Sequence, residues 1–187
     1  SRRRDGRWHA VARHRGEQWG PEIVMPSDSD EFVFHVAAEC DELGRLWVAY
    51  AAWSRGRAPR VGVRRLDAGT WSDEVSFDAE CPQMRPVLAA GGDGAMWIAF
   101  CAYTGGDFRV VTARMAPDAV GTLQVEHPMG SCKGRQQLFP DLCLAGDGAL
   151  WIAWVTYTDV VRDGVVGRQA SLDVARYDDG RWHQSSG

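Results

Sequence analysis

The sequence has no apolar run long enough to cross a bilayer; its longest are strand-sized, such as Leu46 to Trp53. Its five cysteines show neither a CxxC nor a Cys/His spacing suited to zinc, so no metal and no cofactor is implied. Neither sign of charge dominates. A net charge of −4 and a pI near 5.7 exclude a general nucleic-acid surface. The cluster Arg2-Arg3-Arg4 reads as a solvated strand or loop edge, since three charges bind phosphate weakly. No signal-peptide layout opens the chain and its first residue is not Met, so it reads as a mature form or a piece of a longer protein. What it does have is enough length, at 187 residues, to bury a real core, and nine tryptophans whose spacing organises everything else.

Three segments are copies of one another: Gly44-Arg-Leu-Trp-Val-Ala-Tyr50, Gly94-Ala-Met-Trp-Ile-Ala-Phe100 and Gly148-Ala-Leu-Trp-Ile-Ala-Trp154. Trp47, Trp97 and Trp151 stand 50 and 54 residues apart, a period that marks a stacked or circular array. Arg13, Arg65 and Arg176 are each followed six residues later by a Trp, whereas the copy at Arg114 has a longer loop and Leu123 in place of that Trp. Four strands per copy follow. Strand a is Phe32–Ala38, Pro86–Ala90 or Leu138–Ala145, closed by Asp/Gly turns of the hairpin kind. Strand b is Leu46–Trp53, Met96–Tyr103 or Leu150–Tyr157; strand c covers Val61–Leu66, Phe108–Met115 and Ser171–Tyr177; strand d starts near Trp71, Leu123 or Trp182.

Strand b is apolar on both faces, with Trp47, Ala49, Ala51 and Trp53 on one and Val48, Tyr50 and Ala52 on the other. Such a strand is buried on both sides, as the inner strands of a propeller blade are by neighbouring blades. The expected fold is therefore all-β: a β-propeller of four-stranded antiparallel blades with about three and a half present. The divisions within this single partial propeller (1–187) are a half blade 1–26 and blades 27–77, 78–126 and 127–187. Ser1 to Arg13 aligns with Ser54 to Arg65, which places the start of the chain in the loop before a strand c. Three and a half blades do not close a ring, so further blades of a longer chain, or self-association, are the expected partners.

The run Pro86-Val-Leu-Ala-Ala-Gly-Gly-Asp-Gly-Ala-Met-Trp-Ile-Ala99, nearly repeated from Pro140 to Ala153, resembles the repeats of bacterial sialidase-like (BNR-like) propellers. The segment Asp67-Ala-Gly-Thr-Trp71 is one residue shorter than their Asp-box. The resemblance implies the propeller fold, carbohydrate binding as a theme, and an extracytoplasmic or secreted bacterial setting. In that fold the a–b and c–d hairpins share one face, and the b–c and blade-to-blade d–a loops share the other. The second face carries the varied loops, including Ser54–Arg60, Thr158–Gln169, Phe77–Arg85 and Glu126–Gln137, where function concentrates.

Residues that recur at one repeat position have a shared structural role. Trp47, Trp97 and Trp151 are packing anchors; Arg13, Arg65, Arg114 and Arg176 suit ion pairs or turn hydrogen bonds; Asp93 and Asp147 are turn residues, one carboxylate each being too few for calcium. Trp53, Tyr103 and Tyr157 close strand b at the variable face, either as sugar-stacking platforms or as caps on the interblade core. Arg85, near Glu80 and Gln83, has Phe34 and Phe139 as its repeat counterparts, so repetition does not explain it. Sialidases clamp a carboxylate with three arginines, and these blades offer one at that position. Asp30, Glu31 and Asp141 stand near the same rim and admit either glycoside chemistry or a solvated role. Cys101 and Cys143 read as small buried hydrophobes and His35 as core or channel lining; Cys81 and Cys132, on d–a loops of neighbouring blades, stay open between free thiols and a disulfide that export would allow. The ligand-binding set is thus Arg85, Tyr103, Tyr157, Trp53, Glu80 and Asp141, in a binding module for a glycan or extracellular polymer with no nucleic-acid partner. The alternatives are a glycoside hydrolase completed by other blades, and a structural or protein–protein interaction domain.

Overall fold

Period-two alternation punctuated by Asp/Gly turns leaves the chain only strands to form, and no helix occurs among the described residues. The computed structural model describes residues 2–4, 7–28, 30–77, 81–116, 123–126 and 134–185. In chain order the strands are β1 (Arg2–Arg4), β2 (Arg7–His9), β3 (Val11–Ala12), β4 (Ile23–Val24), β5 (Glu31–Cys40), β6 (Leu46–Ser54), β7 (Arg60–Asp67), β8 (Thr70–Trp71) and β9 (Val75–Ser76). They continue as β10 (Gln83–Ala90), β11 (Met96–Thr104), β12 (Asp107–Met115), β13 (Leu123–Glu126), β14 (Arg135–Leu144), β15 (Leu150–Arg162), β16 (Val165–Asp178) and β17 (Arg181–Ser185). All pairing is antiparallel: β5-β6-β7-β8, with β9 also on β7, forms a first blade, β10-β11-β12-β13 a second and β14-β15-β16-β17 a third. β1 with β2 and β3 with β4 make the small sheets that precede them. The ring is open.

Each pair of blades meets over the face that carries the repeated Trp. Trp47, Ala49, Val61 and Val63 of the first blade pack with Leu88, Met96, Ile98 and Phe100 of the second. Trp97, Ala99 and Val110 of the second pack with Leu142, Leu150, Ile152 and Trp154 of the third. Ala49 and Ala99 are fully buried, so the small residue two after each Trp lies where the next blade approaches. The short-turn face repeats its polar chemistry too. Asp93 accepts from Ala95 N–H and pairs with Arg114, and Asp147 accepts from Ala149 N–H at 3.1 Å and pairs with Arg176 at 3.2 Å.

Three expectations change. Thr158–Gln169 is not a loop: β15 and β16 continue through it, closed by a two-residue turn at Asp163-Gly164 with φ of 53° and 77°. Aspartate and glycine tolerate that left-handed pair, which matches the twist of the strands it joins. Arg2–Arg4, placed in a loop from the sequence, pairs with Arg7–His9. Cys101 is buried as expected, but Cys143 is exposed, because it shares a face with Trp151 that no further blade covers. Cys81 packs partly buried against the core between the first and second blades, while Cys132 lies outside the described residues.

Candidate functional site

The innermost strands β5, β10 and β14 lie side by side and border the propeller axis. All three are broken at the same place. Pairing with the neighbouring strand shifts between Phe34 and Ala37, between Met84 and Val87, and between Leu138 and Asp141. The first residue of each β-bulge is left-handed: His35 at φ 47°, Arg85 at 57° and Phe139 at 57°. Pro86 and Pro140 follow two of them, which suits a position that has left the hydrogen-bond ladder. Non-glycine residues adopt this backbone rarely, so its recurrence in three blades makes it a built feature of the inner strand.

Each of these residues stands twelve positions before its blade's Trp. The true counterpart of Arg85 in the first blade is therefore His35, not Phe34. Counting back from the Trp finds it in the sequence; aligning on the phenylalanines hides it.

The side chains at all three of these positions are exposed. The Arg85 guanidinium lies over the Phe139 ring, 4.5 Å from its centroid, a cation–π contact that fixes its plane. It meets no carboxylate among the described residues. His35 stands edge-on to Phe34 at 4.9 Å. Partial burial, followed by the positive charge of Arg85, lowers the His35 imidazole from its ordinary pKa and favours the neutral ring. Behind the trio, burial pushes the Cys101 thiol up to about 11, against weaker opposing effects from the Phe139 backbone and Arg85. The arrangement offers a planar cation with no carboxylate partner among the described residues, an aromatic wall and an imidazole whose neutral form is favoured.

The other candidate residues that the structure describes lie apart from this cluster. Tyr103 and Trp53 are 40% and 41% exposed at the rim, but their rings contact Phe108 and Phe32 of their own blades at 5.0 and 5.7 Å. Tyr157 lies half-buried on β15, and Asp141 is exposed in a shallow groove with Cys143, Trp151 and Ala153 on the uncovered face of the third blade. Glu80 lies outside the described residues. Glu31 is no free rim acid: it is buried and ion-paired with Arg60 at 2.6 Å. Arg60 also pairs with Glu74, which accepts from the buried Tyr50 hydroxyl, so this group stitches the first blade's own strands.

No family model matches the chain. It is 32% identical over 157 residues to a virginiamycin B lyase of Nocardia farcinica (strain IFM 10152), which covers 84% of this chain and 44% of that protein, so the chain spans under half of this relative's length. Among solved structures, the α-L-arabinanase of Penicillium chrysogenum complexed with arabinobiose matches 97% of this chain and 60% of its own at a TM-score of 0.63 and 12% identity. The Hadza microbial sialidase Hz136 matches 81% and 37% at 0.60 and 14% identity. An α-L-arabinofuranosidase of Fusarium graminearum, also with arabinobiose, matches 97% and 60% at 0.61 and 10% identity. At the level of fold, the chain resembles the sialidase and glycosidase β-propellers, with its ring open.

Proposed function

We propose that this chain forms part of a carbohydrate-binding β-propeller whose ligand seats at the axial mouth on Arg85, flanked by Phe139 and His35. One observation carries the reading: an unusual backbone position is held constant in three blades while its side chain changes from His to Arg to Phe. Scaffold needs explain the constant part and leave the variable part to recognition. The Arg85 fork, which meets no carboxylate among the described residues, suits a carboxylate, a sulfate or vicinal hydroxyls, and the Phe139 ring suits the apolar face of a sugar. Tyr103, Tyr157 and Trp53 then serve as outer rim contacts. The arabinobiose complexes and sialidase among the similar structures support carbohydrate as the ligand class. A glycan array tests this. Arg85→Ala should abolish binding and leave the melting temperature nearly unchanged; a fall in melting temperature with binding retained overturns it.

A catalytic reading has one observation of its own. The surroundings of His35, Arg85 among them, favour its neutral imidazole, the form a general base needs, and the 32% identical relative carries the name of a lyase. His35→Gln should then stop turnover while ligand binding persists. Loss of both together returns His35 to a binding role.

A further inference from the structure

The third blade carries an extended β-arm and an uncovered apolar face, and the two are continuous. Residues pairing across β15 and β16 share a face, so Trp151, Ala153 and Val155 align with Val174 and Leu172. The same face runs on through Tyr157 with Ala170, the Asp159–Arg168 ion pair, and Val161 with Val166. Leu172 is 70% exposed, and Val161 and Val166 are each 69% exposed. β15 and β16 have 13 and 14 residues, where β11 and β12 have nine each, so the arm projects beyond the blade at the variable-loop end.

Two completed interfaces in the same molecule show what this face takes. Between the first and second blades, Gln83 Oε1 accepts from Val61 N–H at 3.0 Å and Gln83 N–H donates to Pro59 O at 2.7 Å. Between the second and third, Gln137 Oε1 accepts from Val110 N–H at 3.1 Å and Gln136 Oε1 from Phe108 N–H at 2.8 Å. Asp107, at the second blade's b–c turn, accepts from Gly134 N–H at 2.9 Å and from Gln136 Nε2 at 2.8 Å. In both cases the start of strand c holds the entering inner strand of the next blade. Val61 and Val110 pair with the residue four after the blade's Trp; in the third blade that residue is Val155, and its partner is Leu172.

We propose that this face seats a further four-stranded blade of the same repeat on the C-terminal side, whose inner strand accepts from Leu172 N–H while the arm's Val161 and Val166 grip its entering loop. The arm then stands as a wall beside the axial mouth, and the sheet edge and apolar strip are covered together. This inference rests on the blade interfaces and not on the ligand reading.

The test lengthens the chain after Gly187 by a second copy of its own residues 127–187, which supplies such a blade. By hydrogen exchange, the Leu172 amide of the first copy should slow at least about tenfold relative to the 187-residue chain. Val166→Lys in the first copy should lower the melting temperature of the lengthened chain and leave that of the 187-residue chain unchanged. A protected added copy with Leu172 exchanging as before overturns the proposal, and so does Leu172 protection that rises with concentration in the 187-residue chain, since a second copy is then the occupant. A measurement that does not depend on the added copy compares Leu172→Glu with Val110→Glu in the 187-residue chain. The first should be nearly neutral and the second strongly destabilising; equal destabilisation shows that the face is already covered and overturns the proposal.

Discussion

The second and third blades are near copies in sequence but stand in different solvent. Trp97 is 3% exposed, edge-on to Tyr177 at 4.6 Å and to Trp182 at 5.9 Å, both from the third blade. Trp151, at the same repeat position, has Arg176 over its ring at 5.9 Å and is half-buried. Cys101 and Val110 are buried, while Val155 and Leu172, their counterparts, are half-buried and exposed. Local pattern therefore builds a blade, but a blade becomes core only when another covers it. The motif Trp-Ile-Ala is a specification for an interface, and in the third blade one half of that interface is open.

The sharpest test of this comparison is a pair of truncations. Trp97→Ala should cost about 3–5 kcal/mol, because it empties a packed aromatic site, and Trp151→Ala about 1–2 kcal/mol, because less apolar surface leaves water there. Equal costs in denaturant melts would break the distinction between covered and open faces.

Next comes the turn of the first blade, which solves the same problem with a different residue. Asp41, buried, accepts from Leu43 and Arg45 N–H, from Arg45 Nε at 2.7 Å and from Trp47 Nε1 at 2.9 Å. Burial pushes its carboxyl up, but the Trp47 and Arg45 donors outweigh that and hold it below its usual value. A depressed pKa gives stability that is present above the ordinary carboxylate range, near pH 4, and is lost as pH falls through the lower folded value. Asp41→Ala should cost about 2 kcal/mol at pH 7. Its effect should shrink in melts taken well below pH 4; an undiminished effect there would show that charge is not the cause.

The pairs Arg114–Asp93 and Arg176–Asp147 are half-exposed to exposed, and Arg114→Ala and Arg176→Ala should each cost under about 1 kcal/mol. A larger loss at Arg114 alone would mean that the covered blade also strengthens its surface pairs. The gentlest probe is chemical. Cys143 should react with a thiol reagent in the folded chain and Cys101, buried with its pKa raised to about 11, should not. Mass mapping of the modified peptides checks it, and reaction at Cys101 would show that the interface between the second and third blades opens.

Much of the scaffold was legible because it is repeated. The strand order, the Asp/Gly turns, the Trp anchors and the Asp–Arg pairs all follow from residues that recur at one spacing. The candidate site was legible only in part. Arg85 stands out in the sequence because its position is unmatched, but Phe139 reads only as its counterpart and His35 as lining, since sequence does not display a bulge shared by three inner strands. The arm reads as a loop in the sequence because its alternation, Tyr157-Thr-Asp-Val-Val-Arg162, mixes polar and apolar residues on both faces, as strands outside a core do. Its Asp163-Gly164 turn was the available signal.

The sequence by itself determined the four-stranded blade, its repeat and its inside-outside alternation, because side-chain period and turn chemistry act within a few residues. The tertiary structure decided which copies of that pattern are buried, that Glu31 is held by Arg60, and that Arg85 lies on Phe139 beside His35. Those outcomes depend on contacts between residues far apart in the chain, where identical local sequence meets a neighbouring blade in one place and water in another.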